Sequence, residues 1–214
     1  MNRELTSQEL IWRSEFGEMY NYRNMYSNEE LDSAYKNAMG ISKTEMNERF
    51  LGGLDRNIKI LEVGCNIGIM LVSLKELGFK NLYGIEIQPK AIELAGKRTK
   101  GLNITEASAY DIPFKDGEFD LVFTTHVLIH LAPEKIETAL REIYRCSGSM
   151  IFGNEYYADE LTEIKNYHGM NNIVWKRDFV QLYLKLFPDL KLIKEERYKY
   201  LKSDNTDSAF LFKK

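Results

Sequence analysis

The run Ile60-Leu61-Glu62-Val63-Gly64-Cys65-Asn66-Ile67-Gly68 constrains this chain more than any other stretch. Its branched apolar start reads as a buried strand, its glycines as a tight turn, and Ile67 to Leu77 as a helix. Gly64 and Gly68 permit backbone conformations and close approaches that a Cβ would block. The helix start beyond them offers free N–H groups to a ligand. The next predicted strand, Asn81 to Ile85, leads into Glu86, eighteen residues after Gly68. An acidic side chain at that sheet edge can accept hydrogen bonds from both hydroxyls of a ribose. Turn and carboxylate together describe an adenosine site.

Two adenosine cofactors fit such a pair, and position 66 helps to separate them. In the dinucleotide fingerprint a glycine there lets backbone approach the pyrophosphate, whereas the Asn66 side chain would crowd it, which disfavours a nicotinamide oxidoreductase. S-adenosyl-L-methionine has no phosphates. It carries a sulfonium and an amino group, both compatible with an acidic residue at Glu62. Asn66 can also serve simply as a turn former, since asparagine tolerates left-handed backbone.

Around this motif the chain alternates in the βαβα manner of a parallel-sheet domain. Strands are expected at Lys59 to Val63, Asn81 to Ile85, Asn103 to Glu106, Asp120 to Thr124 and Ser149 to Gly153. Helices are expected at Ile67 to Leu77, Pro89 to Lys97, Pro133 to Arg145 and Arg177 to Leu186, two of them opened by a proline. The last strand-like runs, Leu190 to Leu201 and Ser208 to Phe212, flank Ser203, Asp204 and Asn205 and predict an antiparallel hairpin. Before Asp55 three Ser/Thr-x-x-Glu patterns, Thr6 to Glu9, Ser27 to Glu30 and Ser42 to Glu45, predict capped helices. At 214 residues the chain therefore reads as one compact unit: a helical cap over 1–54 and a Rossmann-like domain over 55–214.

Composition narrows the function. With 44% apolar and 29% charged residues, a disordered or low-complexity chain is excluded. The balance of 29 Lys+Arg against 32 Asp+Glu lacks the basic excess of a nucleic-acid binder. No apolar run is long enough to span a membrane, and Met1 to Gln8 is too polar for a secretory leader. Cys65 and Cys146 lie far apart with no CxxC pair, which argues against a disulfide framework or a cysteine zinc site and fits the cytoplasm.

The stretch Asp111-Ile112-Pro113-Phe114, Asp116-Gly117, Phe119-Asp120-Leu121-Val122 and Thr124-Thr125-His126 completes a larger pattern. From about Asn57 to Gly153 the chain resembles the class I S-adenosylmethionine-dependent methyltransferases. The resemblance implies a Rossmann-like, mostly parallel seven-stranded sheet with a C-terminal antiparallel hairpin. It places Glu62, Gly64, Asn66 and Gly68 by the methionine part of the cofactor, Glu86 at the ribose, Ser108 and Ala109 at the adenine, and Thr125 nearby. Ser108 departs from the pattern, in which an acidic residue often receives the adenine amino group. Trp12, Glu15-Phe16-Gly17, Tyr20, Arg23-Asn24 and Trp175-Lys176-Arg177-Asp178-Phe179 are similar to the pseudaminic acid biosynthesis-associated methyltransferases. This narrower likeness implies a part in carbohydrate biosynthesis and an acceptor related to nonulosonic acids.

The remaining candidates each have a plainer reading. His126 follows the fourth strand at the ligand edge and is the first choice for a general base, with Glu155 and Tyr20 behind it; a structural histidine there is nearly as good an account. His126 and His130 have the spacing of a metal pair but lack the glutamate of HExxH, so no metal is expected. Tyr20 and Arg23 lie in the cap and are expected over the cofactor, or are ordinary helix packing. Glu155, Tyr156 and Tyr157 follow the fifth strand and read as an acceptor loop, or the tyrosines as ordinary packing, and Lys176 with Arg177 as a clamp for an anionic acceptor or as surface charges. The expected activity is methyl transfer to a small anionic molecule, such as an acidic sugar, its nucleotide-activated form or another carboxylate. The alternative is a non-catalytic protein that keeps the fold and binds the cofactor.

Overall fold

The fold comes from a computed structural model that describes residues 3–99 and 101–214. Four short helices come first: α1 (Ser7–Trp12), α2 (Glu15–Arg23), α3 (Asn28–Met39) and α4 (Lys43–Leu51). Thr6 and Ser27 form complete capping boxes with Glu9 and Glu30. The third box is half made: Ser42 accepts from the Glu45 N–H at 3.0 Å, while the Glu45 carboxylate turns to Arg49 at 2.8 Å.

The chain then alternates through β1 (Lys59–Val63), α5 (Ile69–Glu76), β2 (Asn81–Glu86), α6 (Pro89–Arg98), β3 (Asn103–Glu106), β4 (Phe119–Thr125), α7 (Ile136–Cys146) and β5 (Ser147–Tyr156). A two-stranded hairpin, β6 (Thr162–Glu163) with β7 (Trp175–Lys176), precedes α8 (Phe179–Leu186), and the chain closes with β8 (Lys191–Lys199) and β9 (Thr206–Lys213). Among the described residues, seven strands form one sheet in the order β3-β2-β1-β4-β5-β9-β8, with β9 antiparallel to both neighbours. This is the Rossmann-like sheet with an antiparallel C-terminal pair that the resemblance implies.

Alternation along the central strands feeds two cores. Leu61, Val63, Val122 and Phe210 face α7 and α8, where they meet Ile136, Leu140, Phe179 and Tyr183. Ile60, Leu121, Phe123 and Leu211 face the other way, toward Leu74 of α5 and Leu31, Met46 and Phe50 of the cap helices. Full burial of side chains this size stabilises by about 1.5–3 kcal/mol each, so the cap helices are bonded into the sheet's core rather than laid over it.

Three expectations shift. The helix expected from Pro133 begins at Ile136, after a turn. The hairpin β6–β7 carries no alternation long enough to read in advance. Most relevant to the site, β5 runs on to Tyr156 because β9 pairs with it as far as Tyr156 opposite Asp207. Glu155 and Tyr156 are therefore strand residues and not part of a loop.

Candidate active site

Order reverses between β1 and β4, and the carboxyl ends of those strands open a crevice, the ligand position of open α/β sheets. A pocket lies there, walled by the sheet edge on one side and the cap on the other. The sheet edge contributes Gly64, Asn66, Glu86, Ser108, Thr125 and His126, and the cap contributes Gln8, Glu9, Trp12 and Tyr20.

The turn after β1 can only be built from these residues. Gly64 has φ +71°, and a Cβ on it would lie 2.7 Å from Val127 Cγ2. Asn66 is also left-handed, with φ 47°. Its backbone N–H donates to Glu86 Oε2 at 2.8 Å and its side-chain amide to Asn21 Oδ1 at 2.7 Å. Asn66 thus forms the turn and ties it to α2. Gly68, at φ +77°, caps α5; a Cβ there would lie 2.6 Å from Thr99 Cγ2, and Gly68 does not line the pocket.

Glu86 sits at the end of β2, and its Oε1 also accepts from the Ile87 and Gln88 N–H groups at 2.8 and 2.9 Å. Burial raises its pKa above the usual carboxylate range, against the pull of these bonds. Glu62 is 2% exposed beneath the turn, outside the pocket lining; burial raises its pKa far more, and its Oε2 has no partner in the protein.

At the adenine end, Ala109 and Ser108 both line the pocket. Ser108 Oγ donates to Glu9 Oε1 at 2.6 Å and accepts from Arg3 at 2.8 Å, and Glu9 forms an ion pair with Arg3. A carboxylate is therefore present beside Ser108, delivered by α1 instead of by the sheet. The sequence reading used Glu9 only as a helix cap and so missed it.

At the other end, His126 has φ 52°, in the left-handed region that Asn66 also adopts. Its ring, 20% exposed, places Nε2 2.8 Å from Oδ2 of the fully buried Asp207. Burial by itself would lower the imidazole pKa; the charge and hydrogen bond of Asp207, with help from Glu155, outweigh it and leave it raised. With Nε2–H donating to Asp207, Nδ1 keeps the free lone pair in the neutral ring. Tyr156 packs against His126 with ring centroids 5.0 Å apart. Asp207 was missed by sequence reading, because it lies in the polar start of β9, ahead of the apolar run from Ala209 to Phe212.

Other candidates go elsewhere. Glu155 is fully buried, and its carboxylate accepts from the Val127 and Ile129 N–H groups at 3.2 and 3.4 Å, so it clamps the loop after β4 and is not presented to the pocket. Tyr157, on the opposite strand face from Tyr156, lies under the Arg197 guanidinium at 3.6 Å. Tyr20 lines the pocket edge-on to Trp12, with centroids 5.1 Å apart. Arg23 lies outside the lining, with its guanidinium 5.8 Å from the Tyr20 ring. Lys176 reaches Asn205 Oδ1 at 3.3 Å, Arg177 Nε is buried without a hydrogen-bond partner, and neither side chain lines this pocket. His130 Nδ1 donates to the Ile173 carbonyl at 3.0 Å, burial lowers its pKa to about 4, and its ring packs on Trp12.

Residues 61–150 match a methyltransferase domain family. An uncharacterized protein of Haemophilus influenzae is 30% identical over 101 residues, 44% of this chain and 40% of that one. A sterol 4-C-methyltransferase of Caenorhabditis elegans, strm-1, is 24% identical over 129 residues, 55% of this chain and 38% of that one. The chain thus spans about two fifths of the length of these relatives. Among solved structures, the 1,6-didemethyltoxoflavin-N1-methyltransferase of Burkholderia thailandensis, with bound 1,6-didemethyltoxoflavin and S-adenosylhomocysteine, superposes with TM-score 0.70 at 14% identity, covering 100% of this chain and 93% of that one. At that identity the likeness speaks for the fold.

Proposed function

We propose that this chain, which has the class I methyltransferase fold and carries a methyltransferase domain over residues 61–150, binds S-adenosylmethionine and methylates a small acceptor. The observation that carries this reading is one continuous pocket running from Ser108 and Ala109, past Glu86 and Gly64, to Thr125 and His126. The residues fit the cofactor. The Glu86 carboxylate, with about four acceptor positions, retains capacity for ribose hydroxyls beyond its three backbone donors. Thr125 Oγ1 on the sheet wall and Trp12 Nε1 on the cap wall are buried without partners in the protein, so a polar group waits on each side of the pocket.

When bound, S-adenosylmethionine supplies a methyl group already activated on a sulfonium. The protein must therefore add alignment, exclusion of water and, for a hydroxyl acceptor, a base. Trp12 and Tyr20, with the cap over 1–54 behind them, exclude water from the pocket formed by the unit over 55–214. His126 Nδ1 accepts the hydroxyl proton as the acceptor oxygen takes the methyl group. Asp207 is a positioning residue: it fixes the ring tautomer and favours the imidazolium that results.

The acceptor is a small anionic hydroxy compound, an acidic sugar, its nucleotide-activated form or another carboxylate, methylated in the cytoplasm. The flanking patterns shared with the pseudaminic acid-associated enzymes support this choice; Lys176 and Arg177, lying outside the pocket, lend it nothing. The test is to incubate the protein with methyl-labelled S-adenosylmethionine and, separately, N-acetylneuraminate, galacturonate, gluconate and glucose. Labelled product retained on an anion exchanger, and lost in His126→Ala, is expected. Cofactor binding without transfer to any of them would favour a non-catalytic binding protein.

A further inference from the structure

Helix α2 opens with Glu15-Phe16-Gly17, and Gly17 and Asn21, four residues apart, share one face of it. That face is pressed onto the end of β2. A Cβ on Gly17 would overlap both the Trp12 carbonyl oxygen and the Gln88 side-chain amide, so glycine is what lets the helix come this close. One turn further on, Asn21 is 0% exposed. Packing alone would favour an apolar side chain there. Instead the Asn21 amide spans two residues of the site: its Oδ1 accepts from Asn66 Nδ2 at 2.7 Å, and its Nδ2 donates to Gln88 Oε1.

Those two residues are the ones whose backbone N–H groups hold the Glu86 carboxylate from either side, Asn66 on Oε2 at 2.8 Å and Gln88 on Oε1 at 2.9 Å. Glu86, Asn66, Asn21 and Gln88 therefore close a ring of hydrogen bonds. Glu86, Asn66 and Gln88 line the pocket, and Asn21 stands behind them. The ring has one permitted orientation. Gln88 Nε2 donates to the Trp12 carbonyl, which can only accept, so the Gln88 oxygen is left to face Asn21. The Asn21 nitrogen must then point at Gln88 and its oxygen at Asn66. No member of such a ring can swing without breaking a neighbour's bond, so the carboxylate is aimed by the whole ring and not by its own donors alone.

We propose that Asn21 is a positioning residue for cofactor binding: from the cap, and without touching the ligand, it aims the Glu86 carboxylate at the ribose through Asn66 and Gln88. This rests on the reading of Glu86 as the ribose acceptor. It makes α2 a part of the cofactor site as well as a cover over it, and gives Gly17 its task, which is to bring Asn21 within reach.

The test is isothermal titration of the full chain with S-adenosylhomocysteine, run as a cycle of parent, Asn21→Ala, Glu86→Ala and the double variant. Asn21→Ala should weaken binding about ten-fold or more in the parent background. In the Glu86→Ala background it should cost at most about three-fold, because no carboxylate remains to be aimed. Gly17→Ala removes no hydrogen-bonding group but lifts α2 off Gln88, and should follow the same rule. If Asn21→Ala does not fold, Asn21→Asp takes its place in the cycle: it keeps the bond to Asn66, turns an oxygen toward Gln88 Oε1, and should show the same dependence on Glu86. A loss below ten-fold in the parent background, or above three-fold without Glu86, overturns the proposal; a lowered melting temperature with affinity intact would leave Asn21 as a residue of the fold only. A parent that binds S-adenosylhomocysteine equally well with and without the Glu86 carboxylate removes the ribose role instead, and a parent that does not bind it removes the cofactor reading altogether.

Discussion

The two ends of the pocket are built on opposite terms. Around the turn after β1 the polar side chains that line the pocket are already bonded within the protein, Glu86 to three backbone N–H groups, Asn66 to Asn21 and Ser108 to Glu9 and Arg3, while Glu62 beneath the turn keeps one unpartnered oxygen. At the carboxyl ends of β4 and β5 and the amino end of β9, Thr125, Asn154 and Asp207 retain unpartnered buried oxygens. A self-satisfied region is a rigid frame for a ligand of fixed shape. A region carrying unmet hydrogen bonds has room for something that arrives, and such costs persist where function requires them.

The largest effect should come from the unsatisfied end. His126→Ala should lower turnover by about 10² to 10⁴, the usual worth of a general base, and leave S-adenosylhomocysteine affinity within two-fold in a titration. Equal losses in turnover and affinity would make His126 part of the frame. At the satisfied end, Glu86→Ala should weaken S-adenosylhomocysteine binding by about 1.5–3 kcal/mol and also lower stability to urea, because the three backbone donors lose their acceptor. Affinity unchanged in that variant would remove Glu86 from the site.

Asp207→Asn sharpens the comparison through pH. The working base is the neutral imidazole, so turnover should rise with pH through the His126 pKa, which the carboxylate holds raised. Loss of that charge lowers the pKa, and the rising limb should move to lower pH while the maximum rate falls. A limb that stays in place would separate Asp207 from His126. The smallest effect is expected for the double change of Lys176 and Arg177 to Ala, which should alter the acceptor Michaelis constant less than two-fold; a larger rise would bring that surface back into the acceptor site.

The contrast also explains what could be read from the sequence. The frame is local: glycine turn, strand and carboxylate follow one another within Ile60 to Glu86, and the strand and helix periods around them place the sheet to within a few residues. The acceptor end is assembled from the residue after β4 together with β5 and β9, and no spacing along the chain announces that His126, Tyr156 and Asp207 will be neighbours. Glu155 looked like a loop acid because the pairing that lengthens β5 depends on β9, more than fifty residues later. Lys176 and Arg177 looked like a pair because adjacency in sequence implies nothing about adjacency across an extended segment, where successive side chains point apart. Glu9 was hidden by its second task as a helix cap.

The most direct test of the central claim is isothermal titration of the purified chain with S-adenosylmethionine and S-adenosylhomocysteine, with NAD as control. The account predicts saturable binding of the first two at about one site per chain and none of NAD. Binding of NAD in preference to either, or no binding of the two adenosyl ligands, would contradict it.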